Sequence, residues 1–416
     1  MSLLLVQMST VLLTALVCGW VARRLGQARV IGEIVGGILL GPSVFGRFAP
    51  GASARLFPQN SLGALEVLST IGLVLFLFLV GSELDLEHLR SQKGTALLSS
   101  AMGILIPFVL GITLAHSLRI RFAPDGIGKL AFAIFLGISM SITAFPVLAR
   151  ILEERGLQST SLGTTSLMCA AVDDVCAWIL LAIGLTMIPQ AGESKGLPTR
   201  MLWLGIYLAA MMGIVRPLGN WLAQRRKTDG FSAEILAIIV AALLASAAAT
   251  DAIGIHPLFG AFLAGVCFPR IKPWQSAVRA RLDTIVSVLL LPLFFALTGM
   301  RTRLDLFTGA SIWFWTGVVL VAAVAGKMGG AVLAARWTGQ SWRDAAALGA
   351  LLNTRGLVEL VVLNIAYSAH VFSPALFTML VVMALVTTMM TNPLLNMLGV
   401  EDKRAQPRDL AAVSSA

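Results

Sequence analysis

Residues 166–185 read SLMCAAVDDVCAWILLAIGL, and this stretch decides the fold of the chain. Apart from Ser166 and the adjacent Asp173 and Asp174, it consists of apolar and small residues. An α-helix needs roughly 20 such residues to cross the hydrocarbon core of a bilayer. Similar apolar runs recur from one end of the chain to the other, so the sequence predicts an all-α polytopic membrane protein.

The composition excludes a soluble domain. Hydrophobic residues make up 57% of the 416 positions, charged residues make up 12%, and the mean hydropathy is +0.86. A soluble domain needs a largely polar exterior, which this chain cannot supply.

Thirteen spans are predicted, at 2–22, 28–46, 62–82, 94–118, 129–153, 158–189, 199–224, 232–250, 256–270, 283–301, 311–336, 342–370 and 374–398.

The net charge of +10 has a distribution typical of membrane topology rather than of nucleic-acid binding. Nineteen of the 31 Lys and Arg residues lie in the loops after odd-numbered spans or in the tail, and nine lie in the other loops. By the positive-inside rule the N-terminus is expected outside and the C-terminus in the cytoplasm, in a cell inner (plasma) membrane. The polar segment 399–416 is expected to be a short cytoplasmic tail, and no soluble regulatory domain is predicted.

The cysteines and histidines give no sign of a metal centre or a cofactor site. The four cysteines lie in apolar runs without the C-x-x-C spacing, and the four histidines are scattered. Arg23 and Arg24 follow the first apolar run instead of preceding it, so 2–22 is predicted to be a helix and not a signal peptide. We expect neither an enzyme nor a cofactor.

Two predicted spans are interrupted by polar residues near their middle. Span 129–153 contains Ser141, Thr143 and Pro146, and span 342–370 contains the run Asn353, Thr354, Arg355 and Gly356. Proline lacks an N–H and frees the carbonyl of the residue four positions earlier. If thirteen spans divide into six-helix inverted repeats joined by one linker helix, these two spans occupy matching positions. Broken helices at matching positions of two repeats indicate an ion site near the bilayer midplane.

The acids of 166–185 are the candidate ion-binding residues. A charged aspartate at the bilayer centre costs about 2.5–3.5 kcal/mol on insertion scales. Adjacent helical residues differ in direction by about 100°, so Asp173 and Asp174 can serve different purposes. One can hold a structural partner while the other faces a cavity. A carboxylate that titrates near neutral pH can bind a proton or a cation, and that competition is the basis of exchange.

Three further charged residues lie within predicted spans. Lys327 lies about sixteen residues into 311–336 beside small residues, and it can pair with one of the two aspartates. Arg355 and Glu359 are four residues apart, the spacing of a helical ion pair. We interpret this second pair as compensation for the partial charges at the ends of a broken helix.

The chain resembles the monovalent cation:proton antiporter-2 family over essentially all of 1–398. The resemblance rests on VIGE at 30–33 with GPSVFG at 41–46, AVDDV at 171–175, GK at 326–327 and NTRGLVEL at 353–360. The last motif is similar to that of the plant and fungal cation/proton exchangers. Many bacterial relatives carry an acid directly after the Arg-Gly pair, where this chain has Leu357.

The resemblance implies an antiporter that exchanges Na⁺ or K⁺ for H⁺ by alternating access. It implies a core domain at 94–189 and 311–398, a scaffold at 1–93 and 232–301 with a linker helix at 199–224, and a homodimer within membrane lipid. Asp174 would bind the cation or the proton, and Asp173 would pair with Lys327. Thr143 and the carbonyls of the broken helices would assist coordination.

Two other functions fit part of the pattern. Paired acids and broken helices also serve a cation channel or a gated potassium efflux pore. A solute symporter on a similar scaffold would need a roomier polar cavity, for which few residues are available. The preference between Na⁺ and K⁺ does not follow from the sequence.

Overall fold

A computed structural model describes residues 2–83, 95–158, 160–186, 197–225, 231–253, 257–269 and 271–400. These residues are almost entirely helical. The helices are α1 Ser2–Arg24, α2 Arg29–Leu40, α3 Phe45–Phe48, α4 Pro50–Leu56, α5 Gln59–Glu83, α6 Thr95–Phe122, α7 Lys129–Ser141, α8 Phe145–Glu154, α9 Ser161–Thr186, α10 Leu197–Ala210, α11 Arg216–Arg225, α12 Ala233–Ile253, α13 Pro257–Val266, α14 Lys272–Ile285, α15 Leu291–Arg301, α16 Ala310–Trp337, α17 Trp342–Leu352, α18 Leu357–Ser368 and α19 Pro374–Met397. Short π-helical turns, Met211–Val215 and Val286–Leu290, join α10 to α11 and α14 to α15.

Ten helical segments in the described ranges are long and apolar enough to cross a membrane. Three shorter apolar helical segments, Lys129–Ser141, Pro257–Val266 and Val358–Ser368, fall within predicted spans. The prediction of an all-α polytopic membrane protein is therefore confirmed. The total of thirteen crossings and the inverted repeats stay predictions.

The chain divides into two compact units. The first consists of Met1–Cys18, Glu33–Leu86 and Trp178–Arg301, and the second of Gly19–Gly32, Glu87–Ala177 and Thr302–Ala416. Within the first unit, Leu65 and Leu293 pack with Val11 in a buried apolar cluster. Beside that cluster, the Gln7 side chain donates to the carbonyl of Leu56 at 2.6 Å. The predicted site residues all belong to the second unit.

The second unit depends on close packing between α6 and α16. A Cβ added at Gly326 would lie 2.9 Å from the Cα of Pro107, and one added at Gly330 would lie 2.7 Å from the carbonyl oxygen of Met102. These glycines are four residues apart on one face of α16, so the two backbones can approach more closely than any larger residue would permit. This packing places Lys327 in the interior of the unit, where its side chain is 0% exposed.

Two helix pairs in this unit are interrupted. α7 ends at Ser141, Ile142 is extended with φ −78° and ψ 136°, and α8 begins at Phe145. Similarly, α17 ends at Leu352 and α18 begins at Leu357. The two breaks contact each other, since the N–H of Ala144 donates to the carbonyl of Thr354 at 3.0 Å.

The first break begins at Ile142, four residues before Pro146 and at the carbonyl that the proline is expected to free. Pro146 is the second residue of α8, where a missing N–H costs little because the first amides of a helix have no intrahelical acceptor. The chain leaves the helical path before Pro146, at residues 142–144. The proline therefore starts the second half-helix rather than kinking a continuous one.

Candidate functional site

The two adjacent aspartates lie in the middle of α9 and are almost fully buried. Asp173 and Asp174 are each 1% exposed. Their side chains leave the helix in directions about 100° apart, so they meet different surroundings. The two carboxylates therefore have different neighbours and different chemical roles.

Asp173 has a partner on each carboxylate oxygen. The Lys327 ammonium lies 2.6 Å from its Oδ2, and both side chains are buried. The Ser100 hydroxyl donates to Oδ1 at 2.6 Å, and the Thr143 hydroxyl lies 2.6 Å from Oδ2. These contacts give each oxygen of the Asp173 carboxylate a charged or hydroxyl donor. Asp173 is therefore suited to structural pairing.

Lys327 also ties this ion pair to the first helix break. Its ammonium donates to the carbonyl of Ser141, the last residue of α7. The Ser141 hydroxyl itself donates back along the helix to the carbonyl of Gly137 at 2.7 Å. Ser141 thus contributes to the site through its main chain and not through its side chain. A cation at this position also offsets the partial negative charge at the C-terminal end of a helix.

Thr143 connects the ion pair to the second break. Its hydroxyl lies 2.6 Å from Asp173 Oδ2 and 2.9 Å from the carbonyl oxygen of Leu352, the last residue of α17. A threonine hydroxyl carries one proton, so it donates to one of these two acceptors at a time. The acceptor that it donates to sets the direction of its lone pairs. A small rotation of the hydroxyl group moves the hydrogen bond from one acceptor to the other.

Asp174 has no hydrogen-bond partner on either oxygen within the described residues. Its carboxylate faces the backbone amide of Phe145, the first residue of α8, without a hydrogen bond of standard geometry. The N-terminal end of a half-helix carries a partial positive charge and favours an anion in front of it. A buried carboxylate without a hydrogen-bond partner among the described residues can bind a proton or a cation directly.

Arg355 and Glu359 form a second buried ion pair at the start of α18. Their side chains are 3.3 Å apart and 0% exposed. The Arg355 guanidinium also donates to the carbonyls of Ser139 at 3.0 Å and Met140 at 2.7 Å, both near the C-terminal end of α7. Glu359 lies in the first turn of α18, where a negative charge is favourable. The pair therefore lies between the end of α7 and the start of α18, and its role in compensating helix-end charges stays a prediction.

The break of α17 and α18 is held by hydroxyl groups that the sequence analysis missed. In α19, the Thr388 hydroxyl accepts from the N–H of Arg355 at 2.9 Å and lies 2.7 Å from its carbonyl. The hydroxyl of Thr391 lies 3.2 Å from that of Thr354. The available signal was the group of threonines at 387, 388 and 391 in a largely apolar helix.

Asn353 also lies in this break, and its amide is fully buried. Neither its oxygen nor its nitrogen has a hydrogen-bond partner in the described ranges.

The side chains of Pro146 and Leu357 lie outside the described part of the chain. Among the residues that the structure describes, no group of three or more His, Cys, Asp or Glu could hold a metal ion.

The charges of the site nearly cancel. Asp173 balances Lys327, and Glu359 balances Arg355. Among the described residues at the two breaks, Asp174 is left without an ion-pair partner. An isolated charge in a low-dielectric interior is costly, so Asp174 requires a proton or a cation for neutrality. The arrangement therefore provides one position, the Asp174 carboxylate, at which either a proton or a monovalent cation can bind.

Comparison with known proteins shows the family of the chain. A family model described as sodium/hydrogen exchanger, transmembrane, matches residues 12–397. The chain is 38% identical to the Na⁺/H⁺ antiporter NhaS4 of Synechocystis over 397 residues, covering 94% of this chain and 96% of that protein. It is 41% identical to cation/H⁺ antiporter 17 of Arabidopsis thaliana, covering 94% of this chain but 48% of the plant protein. The chain thus spans about half the length of such plant relatives.

A structural match supports the fold prediction. The sodium proton antiporter MjNhaP1 from Methanocaldococcus jannaschii superposes with a TM-score of 0.69 at 12% identity, over 95% of this chain and 97% of that one. The predicted sodium/proton antiporter fold is confirmed at this level. Because the family model covers nearly the whole chain, the protein belongs to the sodium/hydrogen exchanger family of transmembrane proteins.

Proposed function

We propose that this protein is a secondary active antiporter that exchanges Na⁺ or K⁺ for H⁺ by alternating access, with Asp174 as the shared binding group. The observation that carries the proposal is the buried carboxylate of Asp174, which has no partner among the described residues, beside the ion pairs Asp173–Lys327 and Arg355–Glu359. The names of the relatives support the same activity, since they include Na⁺/H⁺ and K⁺/H⁺ antiporters.

Exchange follows from competition for one negative charge. When Asp174 carries a proton it is neutral, and when it is ionised it needs a cation to neutralise it. Either occupant lets the core change its exposure from one side of the membrane to the other, whereas the empty ionised site is too costly to move. Because the two ions cannot be bound together, inward movement of one is coupled to outward movement of the other.

The other site residues hold the ligand in place. Asp173 and Lys327 pair at 2.6 Å, and Thr143 joins that pair to the carbonyl of Leu352. We assign Asp173 to pairing with Lys327, and Thr143 with nearby main-chain carbonyls to completing the coordination of the cation. Carbonyl oxygens and half-helix ends at a break are suitable ligands for an ion that has lost its water.

The larger architecture is proposed on the same basis. The core would comprise 94–189 and 311–398, the scaffold 1–93 and 232–301, and 199–224 would link them. Two chains would associate through the scaffold in the lipid of the plasma membrane, with the N-terminus outside and segment 399–416 in the cytoplasm. The asymmetric distribution of Lys and Arg supports this orientation.

Proteoliposomes with an internal pH-sensitive dye test the proposed activity. Pulses of Na⁺ or K⁺ should move protons in the opposite direction with the wild-type protein. Asp174→Asn keeps the size of the side chain but cannot ionise, so exchange should vanish while the protein still folds. A cation current without proton counter-transport would instead indicate a channel, and robust exchange by Asp174→Asn would exclude Asp174 as the shared group.

A further inference from the structure

The amide of Asn353 has no internal role in the described fold, although it is completely buried. Its side chain is 0% exposed, and both Oδ1 and Nδ2 lack hydrogen-bond partners among the described residues. Its backbone is satisfied, since the N–H of Asn353 donates to the carbonyl of Gly349 at 3.0 Å. An unpaired buried amide is destabilising, so such a group calls for a specific partner.

Asn353 lies in the second helix break, whose residues on either side of it contact residues 143–144 of the first break. Its predecessor Leu352 accepts from Thr143, and its successor Thr354 accepts from the N–H of Ala144. Asn353 is therefore held between two hydrogen bonds to residues 143–144. The hydroxyl of Thr143 also lies 2.6 Å from Oδ2 of Asp173, the neighbour of Asp174 in α9. The orphaned polar atoms of Asn353 and Asp174 thus belong to the two sides of one crossing.

We propose that the side-chain oxygen of Asn353 is a ligand of the transported cation, completing with Asp174 a site that has one charged and one neutral oxygen donor. This inference rests on the proposed exchange function and adds a residue that determines ion preference. A dehydrated alkali cation needs several oxygen ligands, and neutral amide or carbonyl oxygens supply them without adding charge.

A neutral ligand affects ion preference as well as affinity. Na⁺ and K⁺ differ in size and in the cost of removing water, so the number and strength of the oxygen ligands weigh differently on the two ions. Removing the Asn353 oxygen should therefore change the ratio of the two affinities. A purely structural asparagine would affect folding without changing that ratio.

The test compares Asn353→Ala, Asn353→Asp and a matched control in proteoliposomes, with Na⁺ and K⁺ titrated separately. Asn364→Ala is the control, because Asn364 lies in α18 and its amide already donates within the helix to the carbonyl of Leu360 at 2.8 Å. Asn353→Ala should raise the half-saturating cation concentration roughly tenfold and change the Na⁺/K⁺ ratio. Asn353→Asp keeps an oxygen of the same reach and should restore cation binding at alkaline pH.

Two results would overturn the inference. One is an unchanged half-saturating concentration for both ions in Asn353→Ala. The other is equal weakening in the Ala and Asp variants with melting temperatures like that of the wild type, since the oxygen would then be irrelevant. Failure of the wild-type protein to exchange would instead refute the proposed function, so the two failures are distinguishable. Should Asn353→Ala not fold, the near-isosteric Asn353→Asp still reports on the oxygen.

Discussion

The amide N–H of Ala144 donates to the carbonyl of Thr354 at 3.0 Å, joining two helix breaks that are 210 residues apart in the chain. Around this contact, positively charged side chains lie at the C-terminal end of one half-helix, and carboxylate side chains lie at the N-terminal ends of other half-helices. Lys327 and Arg355 donate to carbonyls near the end of α7, and Glu359 lies in the first turn of α18. Asp174, by contrast, has no hydrogen-bond partner among the described residues, and this exception is the basis of the proposed mechanism.

The hydrogen bond from Ser100 to Asp173 should contribute measurably to stability. Ser100→Ala removes a buried donor 2.6 Å from Asp173 Oδ1, so the free energy of unfolding should fall by about 1–3 kcal/mol. The matched control is Ser99→Ala, since the Ser99 hydroxyl is equally buried but lacks a partner among the described residues. Unfolding midpoints in one detergent should show a clear loss for Ser100→Ala only. Equal losses for both variants would refute a specific role of Ser100.

The ion pair of Asp173 and Lys327 should show strong energetic coupling. Lys327→Ala leaves the buried Asp173 charge uncompensated, which costs roughly 3–5 kcal/mol. Adding Asp173→Asn removes that charge, so the double variant should regain part of the lost stability. A double-mutant cycle on the unfolding midpoint measures the coupling. A coupling energy of zero would mean that the two residues do not act as partners.

Arg355 should not be replaceable by lysine. Its planar guanidinium reaches the carbonyls of Ser139 and Met140 and the carboxylate of Glu359 at once, which a single ammonium cannot do. Arg355→Lys should lower both stability and exchange rate. Arg343→Lys is the control, since Arg343 is exposed and donates to the carbonyl of Leu398 at 2.7 Å. Comparable effects in both variants would show that the planar guanidinium of Arg355 has no specific role.

The charged members of the site were predictable because each conflicts with its surroundings in the sequence. Asp173, Asp174 and Lys327 stand in runs that would otherwise cross a membrane without charge, and such exceptions are costly enough to signal function. The spacing of Arg355 and Glu359 similarly predicted a contact one helical turn apart. The sequence did not reveal which aspartate holds the lysine; that assignment came from family resemblance.

The hydroxyl partners could not be predicted in the same way. Serine and threonine in membrane helices commonly donate to their own backbone, as Ser139 does to the carbonyl of Phe135. Nothing in the sequence distinguishes such a residue from Ser100, whose acceptor is 73 positions away. The exact extent of the first break was also hidden, because Pro146 is compatible both with a kink and with the start of a new helix.

The most direct test of the central role of Asp174 is proton release from the purified protein on cation binding. Na⁺ or K⁺ is added to weakly buffered protein in detergent, near the pH of half-maximal exchange, and the released protons are measured with a pH-sensitive dye. If cation and proton share Asp174, binding should release up to about one proton per chain, and the half-saturating cation concentration should rise as the pH falls. Asp174→Asn should release none, whereas Asp173→Asn with Lys327→Ala should still release protons. Cation binding without proton release by the wild-type protein, or undiminished release by Asp174→Asn, would contradict the account.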